Sequence, residues 1–189
     1  QAAHRRPLFR PEAGCAGGKT GGTGIKNNTT VKYAVLSSPF NQYLSGNLLF
    51  RDGKKSPASI ELAIIEFEKT LSEIQQMGII PVVFSPPPGN DSDLGRCLAR
   101  AEWRGINLSK CDFGINKYSQ TGLDAIKFLK KIEEHYSVIF INDLLCDESL
   151  CTTHIDNNIF VYRDFGHLSH EGSAALGKKH DFYRMIVEH

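Results

Sequence analysis

The segment YRDFGHLSHEG, residues 162–172, contains an aspartate and a histidine three positions apart, Asp164 and His167. At this spacing the carboxylate can accept a hydrogen bond from one ring nitrogen, which leaves the other nitrogen free to take a proton from a hydroxyl. This chemistry is the base half of a Ser-His-Asp arrangement for nucleophilic catalysis. A structural pair that only ties down a loop has the same spacing, so the two residues alone leave both interpretations open.

A second segment, AGCAGGKT at Ala13–Thr20, fits the relaxed pattern of a phosphate-binding loop. Such a loop needs a buried strand before it and a helix after it, so that backbone N–H groups point at the phosphates. The preceding segment is basic and broken by prolines, and glycines at 21, 22 and 24 oppose a helix because each costs about 1 kcal/mol there. We therefore predict a glycine-rich loop and no nucleotide binding.

The five cysteines indicate a possible disulfide framework. Cys146 and Cys151 enclose four residues, Cys97 and Cys111 enclose thirteen, and Cys15 is left over. These spacings favour two short-range disulfides in an oxidising compartment.

Two other interpretations of the cysteines stay open, unreactive thiols and a zinc site. Cys146, Cys151 and His154 offer three zinc ligands, but Cys97 and Cys111 are too far apart to form a second zinc knuckle. We expect no metal and no cofactor.

The composition is that of an ordinary globular domain, with 189 residues, 41% hydrophobic and 23% charged. The formal net charge of +1 gives no overall reason to expect nucleic acid or an anionic membrane as a partner. No apolar run approaches the roughly 18 residues of a spanning helix. We expect residues 1–30 to be a flexible, glycine-rich segment and residues 31–189 to form one domain.

Strands and helices alternate along that domain. Predicted strands cover 31–38, 79–85 and 137–142, with a short one at 158–164. Ser56-Pro57 is expected to open a helix that Gly78 ends, and Leu123, Ile126, Leu129 and Ile132 mark the next helix. Residues 89–119 look irregular, and 170–187 look like a closing helix. This order predicts an α/β fold, a three-layer α/β/α sandwich with a mainly parallel sheet.

The predicted sheet must position the Asp164 and His167 side chains. Sites in open α/β sheets lie at the carboxyl ends of the strands, where the loop with Asp164 and His167 should lie. Ser169 can cap the next helix and so fix the loop.

The segment DFGHLSHEG resembles the D-x-x-H-L-S-x-x-G signature of SGNH hydrolase-like domains, especially those fused to membrane-bound acyltransferases. The strand KYAVLSS with the adjacent Phe40 and Tyr43, the segment VVFSPPP and the cysteine pair before the signature are also similar to that family. The resemblance covers roughly residues 31–180. It implies an SGNH/flavodoxin-like fold, a periplasmic location beside a membrane domain, and Asp164 and His167 as two members of a Ser-His-Asp triad.

The sequence also departs from that family, because it contains no Gly-Asp-Ser nucleophile block. The opening QAAH resembles the residues that come directly after this block in the family, so we expect the serine and the first strand to precede Gln1. Ser92 in GNDS is the closest internal substitute, although three prolines before it oppose a tight strand-to-helix turn. Asn41 is a candidate for oxyanion binding, and a simple turn residue is the alternative.

The resemblance implies the periplasmic domain of an inner-membrane O-acyltransferase that moves an acetyl or other acyl group to a cell-surface carbohydrate such as lipopolysaccharide. Its partners would be an acyl donor delivered by the membrane domain and a carbohydrate acceptor, with no nucleic acid and no nucleotide. We expect this chain alone to be inactive. A stand-alone carbohydrate esterase and a non-catalytic glycan-binding or docking module are the alternatives.

Overall fold

The computed structural model describes residues 30–44, 48–51, 54–156 and 158–188. The strands are β1 Tyr33–Ser37, β2 Leu48–Arg51, β3 Lys54–Pro57, β4 Ile80–Phe84, β5 Phe113–Gly114, β6 Ser137–Ile139, β7 Leu150–Cys151, β8 His154–Ile155 and β9 Ile159–Phe160. The helices are α1 Asn41–Leu44, α2 Ile60–Gln76, α3 Leu94–Trp103, α4 Gln120–Ile132, α5 Asn142–Leu145, α6 His170–Lys179 and α7 Phe182–Val187, with 3₁₀ helices at Leu108–Cys111 and Ile115–Lys117.

A parallel three-stranded sheet lies at the centre, in the order β1-β4-β6. Val82 and Val83 of the middle strand are fully buried, as expected for a β-branched run with both faces covered. The sheet register pairs Val35 with Val82 and Phe84 with Ile139. The predicted parallel sheet is therefore confirmed, although its strands are shorter than the apolar runs suggested.

Each face of the sheet carries its own hydrophobic core. On one face, Val83, Val138 and Phe140 pack with residues of α1, α2 and α4. On the other face, Val82, Phe84 and Ile139 pack with residues of α3 and α6. The alternation along β4 sends Val82 and Val83 to opposite cores, which gives the predicted α/β/α layering.

The helix expected to open at Ser56-Pro57 begins later, at Ile60. Pro57 belongs to β3, where it pairs with Leu48, and Ser59 is the N-cap, with its Oγ accepting the N–H of Leu62. The end of this helix was predicted correctly, since Gly78 lies just beyond it with a φ of 78°.

Residues 89–119 are not irregular, because they contain the ten-residue helix α3. Asp93 caps this helix by accepting the N–H of Arg96 at 2.9 Å. Leu94, Leu98 and Ala101 bury one face of it at four- and three-residue spacing.

Three smaller expectations also need correction. The predicted helix over 170–187 is two helices, separated at Asp181, which has a φ of 48°. The short strand expected at 158–164 is β9, which pairs antiparallel with β8 outside the central sheet. In α4, Leu123 is 46% exposed, and Phe128 fills the buried position.

In the part of the chain that the structure describes, no helix is long and apolar enough to cross a membrane. The segment Ala13–Thr20, Cys15 and nearly all of the expected N-terminal segment 1–30 lie outside the described residues.

Candidate active site

Asp164 and His167 lie on the loop between β9 and α6, and their side chains are hydrogen-bonded. Nδ1 of His167 is 2.8 Å from Oδ1 and 3.0 Å from Oδ2 of Asp164. The carboxylate also accepts the backbone N–H groups of Gly166 at 3.1 Å and His167 at 3.0 Å. The three-residue spacing thus closes a compact turn around the carboxylate and fixes the imidazole against it.

The surroundings of Asp164 keep it ionised. Burial alone would raise the pKa of this carboxyl, but hydrogen bonds from Gly166, His167 and Arg163 outweigh burial and lower the pKa to about 2. The Arg163 guanidinium lies 3.3 Å from Oδ2. At neutral pH His167 therefore faces a negative charge, which favours a proton on Nδ1 and leaves Nε2 as the basic nitrogen.

The other edge of the His167 ring is open. The side chain is 68% exposed, and within the described residues Nε2 has no hydrogen-bond partner. A histidine with a purely structural role would be expected to have both nitrogens satisfied in the interior. The geometry is that of an oriented base able to take a proton from a hydroxyl brought to its Nε2.

Main-chain pairing holds the loop in shape. Tyr162 and Leu168 form an antiparallel bridge, and the N–H of Arg163 donates to the carbonyl of His167 at 2.9 Å. Ser169 caps α6 as predicted, with Oγ accepting the N–H of Gly172 at 2.8 Å. The Asp164–His167 pair therefore lies on a closed turn between a bridge and a capped helix.

Two glycines allow neighbouring helices to approach this loop closely. A Cβ on Gly95 of α3 would collide with the carbonyl of Arg163 and would lie 2.7 Å from the nitrogen of Asp164. A Cβ on Gly172 of α6 would lie 2.7 Å from the Cα of Val161. Sequence reasoning missed Gly95, since only the tertiary contact distinguishes it from other glycines.

The loop also packs against the segment after β4. The buried Tyr162 hydroxyl donates to the carbonyl of Pro88 at 2.7 Å, and Gly89 lies against the main chain of Phe165. Because β4 ends at Phe84, these contacts put the Asp164–His167 turn near the carboxyl edge of the sheet.

Asn41 lies beyond the carboxyl end of the neighbouring strand β1. Its Oδ1 is buried and has no hydrogen-bond partner within the described residues. The preceding residue, Phe40, is 1% exposed and has a φ of 58°, which is unusual for a bulky side chain. No hydrogen bond joins Asn41 to the Asp164–His167 pair in the described part of the chain.

Ser92 lies on an exposed turn, where its N–H donates to Oδ1 of Asn90 at 3.1 Å. No hydrogen bond connects it to His167 among the described residues. The structure therefore gives Ser92 a local turn contact and no contact with the candidate base.

The four cysteines with short spacings form two disulfides, Cys97–Cys111 and Cys146–Cys151. The second bond occupies both sulfur atoms of the alternative zinc set that included His154. Among the described residues no cluster of three or more histidine, cysteine or acidic side chains could hold a metal ion.

The fold and the hydrogen-bonded pair define the class of the domain, an SGNH-type α/β domain. Residues 8–181 match the family model described as "SGNH domain (fused to AT3 domains)", so the chain belongs to that family. Among curated proteins, no sequence matches the chain.

A solved structure shares the fold, the periplasmic domain of a lipopolysaccharide acetyltransferase from Salmonella ser. Paratyphi A. Its TM-score is 0.55 at 17% sequence identity, and the match covers 80% of this chain. This chain spans 56% of the length of that structure.

Proposed function

We propose that this chain is the SGNH-like part of a periplasmic O-acyltransferase that moves an acetyl or other acyl group to a cell-surface carbohydrate. His167 is the general base that takes a proton from a serine hydroxyl, and Asp164 orients the imidazole. The serine oxygen attacks the acyl carbonyl of the donor while His167 takes its proton and passes it to the departing carrier group. In the second half His167 takes the proton of the sugar hydroxyl that attacks the acyl-serine, and returns it to the serine oxygen as the acyl–serine bond breaks.

The observation that carries the proposal is the hydrogen bond between Nδ1 of His167 and the ionised Asp164, combined with an exposed ring whose Nε2 has no partner among the described residues. Membership in a family fused to AT3 acyltransferase domains supports acyl transfer as the reaction. The Salmonella acetyltransferase domain of similar fold supports the same class of chemistry and a periplasmic setting, both as proposals for this chain.

We place the nucleophile in a Gly-Asp-Ser block on a further strand preceding Gln1. Supporting this placement, β1 pairs only with β4 in the described part of the chain. Val35 in that strand is 54% exposed, although parallel strands are ordinarily covered on both faces. A parallel strand paired with β1 on the side opposite β4 would bring its carboxyl end next to Asn41, whose amide would then bind the oxyanion.

Phe165 supports a carbohydrate acceptor. It lies between Asp164 and His167 in the turn, and 60% of its surface is exposed. An exposed ring beside the base offers a sugar an apolar face on which to stack. We propose that it holds the acceptor ring while the hydroxyl approaches the acyl-serine.

The test is acyl transfer by the longer polypeptide, with its serine block and acyltransferase domain, in a strain that lacks the native gene. His167→Ala should reduce transfer by a factor on the order of 10⁴ or more, as for other triad bases. His170→Ala removes an exposed histidine three residues further on and should leave transfer unchanged. Near-normal transfer by a folded His167→Ala protein would exclude the catalytic role and favour a glycan-docking module. Acyl release to water in the presence of acceptor would favour the esterase alternative.

A further inference from the structure

One side of α3 carries a concentration of positive charge. Arg96, Arg100 and Arg104 succeed one another at four-residue spacing and so share one side of the helix. Lys110, on the 3₁₀ helix Leu108–Cys111, faces them across a groove of about 380 Å³. We call these four residues and the groove between them the basic groove.

The charges of the basic groove are not neutralised within the described structure. No described carboxylate forms an ion pair with any of its four cations. Asp93 is the acidic residue of the lining, and its carboxylate already accepts the N–H of Arg96 as the helix cap. The formal charge of the whole chain is only +1, so the negative residues that balance these cations lie elsewhere on the protein.

Two exposed apolar side chains accompany these cations. Ile106 lines the groove and is 44% exposed, and Trp103, three residues after Arg100 at the end of α3, is 83% exposed. Leaving an indole ring and an aliphatic side chain in water is unfavourable, and neither belongs to a hydrophobic core. Cations beside an exposed tryptophan and an aliphatic residue are the combination that binds at the headgroup level of an anionic membrane.

We propose that the basic groove, with Trp103 and Ile106, docks the domain on an anionic phospholipid surface. The cations contact lipid phosphates, while the indole and the isoleucine side chain enter the boundary between headgroups and acyl chains. The apolar pair favours a membrane over an acidic polysaccharide, because a polyhydroxylated chain gives Ile106 no apolar environment. Arg100 and Arg104 lie on the side of α3 away from Gly95, the residue that contacts the main chain of Arg163 beside the Asp164–His167 turn.

The chain contains a single tryptophan, so its emission reports on Trp103 alone. The 189-residue protein is mixed at low salt with vesicles of phosphatidylglycerol and phosphatidylcholine, and separately with vesicles of phosphatidylcholine alone. We expect co-sedimentation and a shift of the emission to shorter wavelength with the anionic vesicles only, with binding lost as salt is raised.

Substitution of cations distinguishes binding through the basic groove from attraction that depends only on the net charge of the protein. Each cation near an anionic surface contributes about 1 kcal/mol, or about fivefold in partitioning, so Arg100→Gln with Arg104→Gln should weaken binding by roughly 25-fold. Lys130→Gln with Lys131→Gln removes the same charge from α4 and should weaken it much less.

The proposal would be overturned by no binding to anionic vesicles at low salt, by an equal loss of binding in the α4 variant, or by binding with unchanged Trp103 emission. Binding to dextran sulfate without binding to vesicles would also overturn it and would identify an acidic polysaccharide as the ligand.

Discussion

Gly95 of α3 lies directly against the main chain of Arg163, so close that no side chain fits between the helix and the loop that presents His167. The backbone of α3 thus packs directly against the loop that carries the Asp164–His167 pair. Because Asp164 is the next residue after Arg163, any displacement at this contact moves the carboxylate that orients the imidazole.

Gly95→Ala should therefore destabilise the protein, although alanine is favoured over glycine by about 1 kcal/mol within a helix. The added Cβ meets backbone atoms that cannot rotate away, and such overpacking typically costs about 1–3 kcal/mol. The free energy of unfolding in urea measures the difference. Gly166→Ala is the control, because a Cβ there meets no atom within 4 Å. A Gly95→Ala protein as stable as the wild type would show that the contact is looser than described.

The disulfide Cys97–Cys111 should contribute more stability than Cys146–Cys151. The first pair is separated by 14 residues and the second by 5. Loop-closure entropy predicts a loss of about 3 kcal/mol for the longer loop and roughly 2 kcal/mol for the shorter one when both cysteines become alanine. Urea unfolding of the two double-alanine variants tests the order, and the reverse order would contradict it. Alkylation without reductant should label none of these four cysteines.

Acid should remove the stabilisation that comes from ionised Asp164. Its folded pKa is about 2 against an ordinary value of 3.8, so its contribution is fully present above pH 3.8 and is lost as the pH falls through 2. The free energy of unfolding of wild type minus that of Asp164→Asn should therefore increase from about pH 2 to about pH 5. Asp91→Asn serves as the control, since no hydrogen bond to the Asp91 carboxylate is found in the described structure. A difference independent of pH would mean that Asp164 has no ionised contacts to lose.

If Asn41 binds the oxyanion, Asn41→Ala in the longer acyltransferase that we propose should lower kcat by about 10²–10³-fold, as for loss of one oxyanion donor, with a smaller change in KM. The neighbouring Gln42→Ala, at an exposed position, is the control. An unchanged kcat would show that Asn41 does not bind the oxyanion and would favour the alternative, a turn residue.

The sequence was sufficient to predict the parallel sheet, the cap at Ser169 and the hydrogen bond between Asp164 and His167, because periodicity, capping and a three-residue spacing are local properties. The sequence was not sufficient to predict α3. The buried face of this helix consists of Leu94, Leu98 and Ala101, and arginines between them obscure the apolar periodicity. Ser56-Pro57 was expected to open the next helix, but Pro57 pairs with Leu48 in β3 and the cap is Ser59, because strand pairing outweighs the local signal.

Two other features, the contact at Gly95 and the basic groove, depend on tertiary contacts that cannot be read from a single sequence. The close approach at Gly95 requires the position of another loop. The net charge of +1 does not indicate the basic groove, because only folding brings Lys110 close to the arginines of α3.

The most direct test of the central claim, that Asp164 and His167 activate a serine, is covalent labelling by a fluorophosphonate probe. The probe is added to a longer polypeptide that includes the Gly-Asp-Ser block of the proposal, and the labelled residue is mapped by mass spectrometry. We predict one labelled serine in that block, with labelling abolished in His167→Ala, strongly reduced in Asp164→Ala and retained in His170→Ala. Equal labelling of wild type and folded His167→Ala protein would contradict the assignment of His167 as the base.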